Sequence, residues 1–298
     1  MSASVQLKPL SQQQTEEELF SPRREFFRKF RAQKLAFYSL FLVLLIGLTA
    51  LFGAYLTPYS PSEPDYNAVL MPPSLSHWAG TDHFGRDILS RIIAGTQISL
   101  LVGVMSVFFG ALLGTLIGLT SGYFGGWYDS LMMKLTDVMF AFPGILLAIG
   151  LIAVLGTGLS NVVIAVSIFT LPIFIRIVRA STLTFTNMTY IEAARSIGVK
   201  DWSIMYRHIL PQVLPVIIVY LSMRIGVAIL IGASLSFLGL GADPSTPEWG
   251  AMLSTSRDYV TVAPHVVFFP GLAIIITVLA FNVLGDGLRD ALDTKLKE

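Results

Sequence analysis

Long apolar stretches dominate this chain, and Gly, Pro and charged residues punctuate them. Six stretches are long enough to cross a hydrocarbon core of roughly 30 Å at about 1.5 Å of rise per residue. They cover residues 35–56, 98–119, 137–155, 161–178, 213–237 and 266–284. The pattern predicts an all-α integral membrane protein with six transmembrane helices, the third and fourth joined by a short glycine-rich turn. In the second stretch Gly110, Gly114, Gly118 and Gly122 recur every four residues. That spacing puts them on one helix face, where another backbone can approach closely, so this helix is expected to pack on protein rather than lipid. Pro143, Pro172, Pro215 and Pro270 lie in or beside later stretches; each removes a backbone donor and can bend its helix.

Between the fourth and fifth stretches, at about 181–212, apolar and polar residues mix at helical spacing. Ala193 and Ala194 leave a slim surface suited to a partner's groove, and Gly198 supplies a turn that a side chain would obstruct. A loop that merely caps the bundle is the other reading. Ahead of the first stretch, Phe20, Phe26, Phe27 and Phe30 alternate with Arg23, Arg24, Arg28, Lys29 and Arg31. This reads as a short amphipathic helix on an anionic membrane surface, or as a topology anchor alone.

Composition agrees with the pattern. Of 298 residues, 54% are hydrophobic and 13% charged, with a mean hydropathy of +0.70; soluble domains carry about a quarter charged residues. A net charge of +1 gives no overall basic excess for nucleic acid. The absence of cysteine excludes disulfides, thiolate metal sites and a cysteine nucleophile, and suits a bacterial inner-membrane protein. The first 35 residues are too polar for a cleaved signal peptide, so the first span is expected to stay in the mature chain.

Lys and Arg set the orientation. Seven precede the first span, one (Lys134) lies between the second and third, five (Arg176, Arg179, Arg195, Lys200, Arg207) between the fourth and fifth, and three in the tail, against Arg86, Arg91 and Arg257 on the other side. The positive-inside rule then puts both termini and the 181–212 loop in the cytoplasm. The twentieth cation, Arg224, sits well inside the fifth span. Arg at mid-membrane costs roughly 2.5–3.5 kcal/mol, so it is expected to face the bundle interior or a watery path. There it can grip a carboxylate with two parallel hydrogen bonds, or instead hold helices together through an internal salt bridge or carbonyl contact.

The outward segments 58–95 and 238–265 offer Trp78, Asp82, Glu248 and Trp249 as candidate contacts for another protein, or as interfacial anchors. His77, His83 and His265 are scattered there, and no metal site is expected. A secondary transporter or channel would need several ionisable residues at depth or a filter, whereas only Arg224 is deep and Asp137 and Asp286 lie at span ends. An intramembrane protease would need H-E-x-x-H, a deep serine and histidine, or two facing aspartates, and the only pair to consider, Asp137 and Asp286, is expected too close to the cytoplasmic surface.

The run Glu192-Ala193-Ala194, then Gly198, then His208-Ile209-Leu210-Pro211 resembles the EAA motif of permease subunits in binding-protein-dependent ABC importers. Gly80-Thr81-Asp82, Gly85-Arg86-Asp87, Leu89-Ser90-Arg91, the runs 236–241 and 247–250, and the tail 285–293 resemble the C-type permeases of dipeptide, oligopeptide, nickel and glutathione systems. The likeness spans nearly everything from Leu35 onward, and residues 140–149 lean toward glutathione permeases.

The resemblance implies a type I ABC importer permease fold in a bacterial inner membrane. It implies a B-type permease beside this chain, two ATPase subunits beneath, and a periplasmic substrate-binding protein. Residues Glu192, Ala193, Ala194, Arg195, Gly198, His208 and Pro211 would dock the ATPases; Glu192 would meet a basic residue there, or else pair with Arg195. His208 is a polar cap under the fifth span or a pH-sensitive contact. ATP and Mg would be used by the partners, with no cofactor and no catalysis in this chain, which contains no G-x-x-x-x-G-K-[ST] loop. The chain would divide into a tail at 1–34, a first helix with its outer loop at 35–96, the importer transmembrane domain at 97–286 and a tail at 287–298. Cargo would be a dipeptide or glutathione, with nickel or another small solute as the alternative.

Overall fold

The computed structural model describes residues 22–292, with side chains from residue 25 onward. Residues 1–20, Phe20, the Arg23 and Arg24 side chains, Lys295 and Lys297 lie outside that description. The described chain is helical: α1 (Pro22–Ala32), α2 (Lys34–Leu56), α3 (Ile88–Phe124), α4 (Gly126–Ala141), α5 (Gly144–Leu155), α6 (Leu159–Thr186), α7 (Thr189–Ser196), α8 (Asp201–Phe237), α9 (Trp249–Ser256) and α10 (His265–Leu292). Five of them are long and apolar enough to cross a membrane, and six spans result if α4 and α5 count as one.

The third span departs from the continuous helix expected over 137–155. α4 and α5 meet at 94° across Phe142 and Pro143. Pro143 has no N–H to carry the ladder on, and the residue before a proline is pushed out of helical geometry; Phe142 accordingly sits at φ −94°, ψ 135°. Pro172, Pro215 and Pro270, by contrast, lie inside continuous helices.

The bundle is organised on α3 and α6. A Cβ added at Gly114 would lie 2.9 Å from the Leu171 carbonyl oxygen, and one at Gly118 2.7 Å from that of Ile175. Gly110 and Gly122 meet Ser167 and Arg179 in the same way. The four-residue glycine stripe thus lets the two backbones touch, with Phe174 and Val178 fully buried between them. α8 and α10 complete the core around Ile229, Ile274 and Phe281. α1 turns Phe30 inward onto Leu284 and Ala291 of α10, leaving Phe27 exposed. Only part of its aromatic face is therefore free for a membrane surface.

The face formed by residues 57–87 and 238–264 closes on itself. Asp82 accepts hydrogen bonds from the Phe84 and Arg86 amides and, at 2.7 Å, from Arg86 Nε, with Arg91 Nε 3.5 Å away. Asp87 caps α3 through the Ser90 amide and faces His77 Nδ1 at 3.0 Å. Glu248 caps α9, accepting from the Gly250 and Ala251 amides and from Ser99 Oγ; burial pushes its carboxyl above the usual range while those bonds pull it back. Trp249 donates to the Ile92 carbonyl at 3.1 Å. The expectation that Asp82, Glu248 and Trp249 meet another protein is corrected: with 5%, 3% and 2% of their surface exposed, they hold the face together. Trp78 remains exposed.

Candidate coupling surface and translocation path

The segment expected as a loop over 181–212 is mostly helix. α6 runs to Thr186 and α8 begins at Asp201, so only 187–188 and 197–200 lie between helices. What joins them is a hook built on α7. Gly198 ends that helix with φ +80°, and the Gly198 and Val199 amides return to the carbonyls of Arg195 and Ala194. This is the left-handed helix stop that glycine adopts without strain. Nothing lies within 4 Å of a Cβ at Gly198. The turn is one that a side chain would strain, as expected, and the strain comes from backbone conformation rather than from a neighbour within the chain.

One side of the hook is core: Ile191, Ala194, Ile204, Met205 and Ile209 are buried in the main cluster. Ala194, expected beside Ala193 on the slim outer surface, is corrected to this inner side; Glu192 and Ala193 face outward. The outer side also carries apolar groups that the motif reading passed over. Ile197 is 81% exposed, and Trp202 stacks on Tyr206 with centroids 5.8 Å apart, both exposed. Two aromatics four residues apart on a polar segment were the signal available in the sequence.

Arg195 is engaged within the chain. Its guanidinium lies 4.9 Å from the Tyr123 ring centroid and Nε is 3.4 Å from the Tyr123 hydroxyl, which donates to Asp201 Oδ1 at 2.6 Å. One buried tyrosine at the end of α3 thus holds both arms of the hook. Arg195 thus braces the hook within the chain while staying exposed, and no ion pair joins it to Glu192 among the described residues. Tyr123 escaped sequence reading because an interfacial tyrosine ordinarily reads as a membrane anchor. Two residues earlier, Ser121 donates to Asp129 of α4, which takes a two-pronged grip from Arg179 of α6, its Nη2 contact 2.6 Å long.

His208 and Pro211 belong to α8. The Leu210 amide reaches back five residues to the Met205 carbonyl, a π-turn over Met205–Ile209 that widens the helix where the Pro211 ring would meet the Arg207 carbonyl. His208 Nδ1 lies 3.4 Å from the Ser203 carbonyl oxygen, and Pro211 is exposed. Arg224, farther along α8, is half-buried and has no hydrogen bond or ion pair among the described residues, so the internal salt bridge that was its alternative reading is not formed. No group of three or more His, Cys, Asp or Glu that could hold a metal occurs among the described residues.

Residues 114–298 match the family model described as binding-protein-dependent transport system inner membrane component. Residues 21–73 match the N-terminal TM domain of oligopeptide transport permease C. Glutathione transport system permease proteins GsiD of Escherichia coli and of Shigella sonnei are each 55% identical over 278 residues, 93% of this chain and 92% of theirs. Among solved structures, an inward-facing MetNI methionine ABC transporter chain aligns with TM-score 0.55 at 18% identity, covering 69% of this chain and 98% of that one. A chain of an amino acid ABC transporter aligns with TM-score 0.51 at 18% identity, covering 66% and 92%. At that identity these two structures speak for the fold alone.

Proposed function

Because this chain belongs to the binding-protein-dependent transport system inner membrane components, we propose that it is the C-type permease of an ATP-driven importer whose cargo is glutathione. It is a multi-pass inner-membrane component of an ABC importer. On this reading it lies beside a B-type permease, receives cargo from a periplasmic binding protein, and leaves ATP hydrolysis to two ATPase subunits beneath it. Both termini and the hook face the cytoplasm, the side richer in Lys and Arg.

One observation carries the docking assignment: the hook is fully packed on one side yet shows Glu192, Ala193, Ile197 and the Trp202–Tyr206 stack to water on the other. An apolar patch of this kind on a water-facing surface marks a partner site. Nucleotide favours one arrangement of the ATPase pair over the other, and the hook passes that preference to the spans. Tyr123 ties the hook to α3, so the displacement is shared by the helix on which the bundle is built.

The cargo assignment rests on the likeness to glutathione permeases and on Arg224, a cation without an intrachain partner that suits a carboxylate. Uptake of labelled glutathione and of a labelled neutral dipeptide, in cells lacking this chain and in cells with it restored, tests the assignment. Glutathione uptake is expected to return with the chain. Return of dipeptide uptake alone, or of neither, would overturn it.

A further inference from the structure

Lys34 and Asp286 line one cavity of about 400 Å³, where the first turn of α2 meets the C-terminal part of α10. Two close contacts build its walls. Gly287 lets the helices touch, since a Cβ there would collide with the Ala36 side chain. Gln33 Nε2 donates to Asp290 Oδ2 at 2.7 Å, which ties the start of α2 to α10 and engages that neighbouring carboxylate. Lys34 and Asp286 are the charged groups of the lining, and both are exposed. Neither has a hydrogen bond or ion pair among the described residues, although their charges are opposite and they share one rim.

Their level in the membrane follows from the spans. The apolar run of α2 starts at Leu35, next to Lys34, and that of α10 ends at Leu284, two residues before Asp286. α2 has 23 residues, about 34 Å at 1.5 Å per residue, little more than the roughly 30 Å of hydrocarbon it must cross. Both charges therefore sit where headgroups lie. An exposed apolar stripe runs from each toward the bilayer centre at helical spacing: Tyr38, Phe41, Leu45 and Leu48 on α2, Leu279 and Ile276 on α10.

Charge at the rim with apolar stripes beneath it matches a bilayer phospholipid, and the pairing of signs narrows the class. A purely anionic headgroup would meet Lys34 but be repelled by Asp286. A quaternary ammonium has no N–H to donate to a carboxylate. A phosphate joined to a primary ammonium satisfies both side chains.

We propose that this cavity binds the headgroup of phosphatidylethanolamine, Lys34 taking the phosphate and Asp286 the ammonium, while the acyl chains follow the two stripes. The lipid so held bridges the start of the first span and the end of the last. The site depends on the membrane placement of the chain and not on its cargo.

The test uses the complete importer, purified in detergent, and a phosphatidylethanolamine carrying a photoactivatable diazirine near the top of one acyl chain. Adducts on this chain are mapped by peptide mass spectrometry. They are expected within 35–38 and 279–283, and to be competed about tenfold more effectively by unlabelled phosphatidylethanolamine than by phosphatidylcholine or phosphatidylglycerol with the same acyl chains. Asp286→Asn is expected to abolish that preference, Asp286→Glu to keep it, and Lys34→Gln to weaken competition by all three lipids. Equal competition by the three in the wild-type complex would reduce the site to apolar contact. Stronger competition by phosphatidylglycerol would make it part of a basic surface with Arg28 and Arg31. Either result overturns the proposal, as does a preference that survives in Asp286→Asn. Absence of adducts at the cavity overturns it too, and is the result if another segment or subunit fills the space.

Discussion

At the 57–87 face, charge is turned inward; at the hook, apolar surface is turned outward. Asp82, Arg86, Arg91 and Glu248 are all nearly fully buried and hydrogen-bonded to one another or to backbone. Ile197, Trp202 and Tyr206 are exposed on a segment whose other side is core. The cluster of Asp82 with Arg86 and Arg91 favours one arrangement, because removing the carboxylate strands both buried cations. An exposed apolar hook on a glycine stop would, on the proposed reading, gain its stabilisation from a partner. The two ends of the bundle therefore differ: one is closed within the chain, and the other leaves apolar surface exposed, which the proposed function assigns to assembly.

Substitutions sharpen that difference. The largest effect is expected from Asp82→Ala, which leaves Arg86 and Arg91 buried without their carboxylate and costs about 3–5 kcal/mol. Thermal melting of the purified chain and its level in membranes should both fall sharply. Gly198→Val comes next. Forcing a β-branched residue to φ +80° costs about 1–2 kcal/mol locally, so the spans should still assemble while cargo-stimulated ATP hydrolysis of the full complex is lost; unchanged stimulation would contradict the hook's role. Tyr123→Phe removes the bond to Asp201, worth about 1 kcal/mol, and keeps the ring under Arg195. Cargo moved per ATP hydrolysed is expected to drop by a few fold with little change in melting.

The smallest effect is a pH dependence confined to the 57–87 face. Burial, reinforced by Arg86 and Arg91 and opposed by Asp82, lowers the His83 pKa below its ordinary 6.5. The folded state therefore resists protonation there. The contribution is fully present above pH 6.5 and is lost as pH falls below it. Melting measured between pH 7.5 and pH 5 should show a slope that His83→Gln flattens.

Much of the architecture was readable because a single residue class carried it. The glycine stripe from Gly110 to Gly122 announces close packing by its four-residue period, and the apolar runs announce spans by length. The bend at Pro143 was not readable, since Pro172, Pro215 and Pro270 carry the same local chemistry and stay helical; neighbours decide which proline breaks its helix. Trp249 and Glu248 read as surface groups because loop burial follows from tertiary closure, which hydropathy does not encode. At the candidate site, Glu192 through Gly198 stood out by motif. Which of its alanines faces out, and that Arg195 braces against Tyr123, depended on how α7 lies on the ends of α3 and α8.

The central claim, that the hook is the face completed by an ATPase, is tested most directly by Ile197→Cys in this otherwise cysteine-free chain. Labelling by a water-soluble thiol reagent is compared between the purified permease and the complete importer. Rapid labelling alone and strong protection in the complex are expected. Equal labelling in both would leave the hook without a partner and contradict the account.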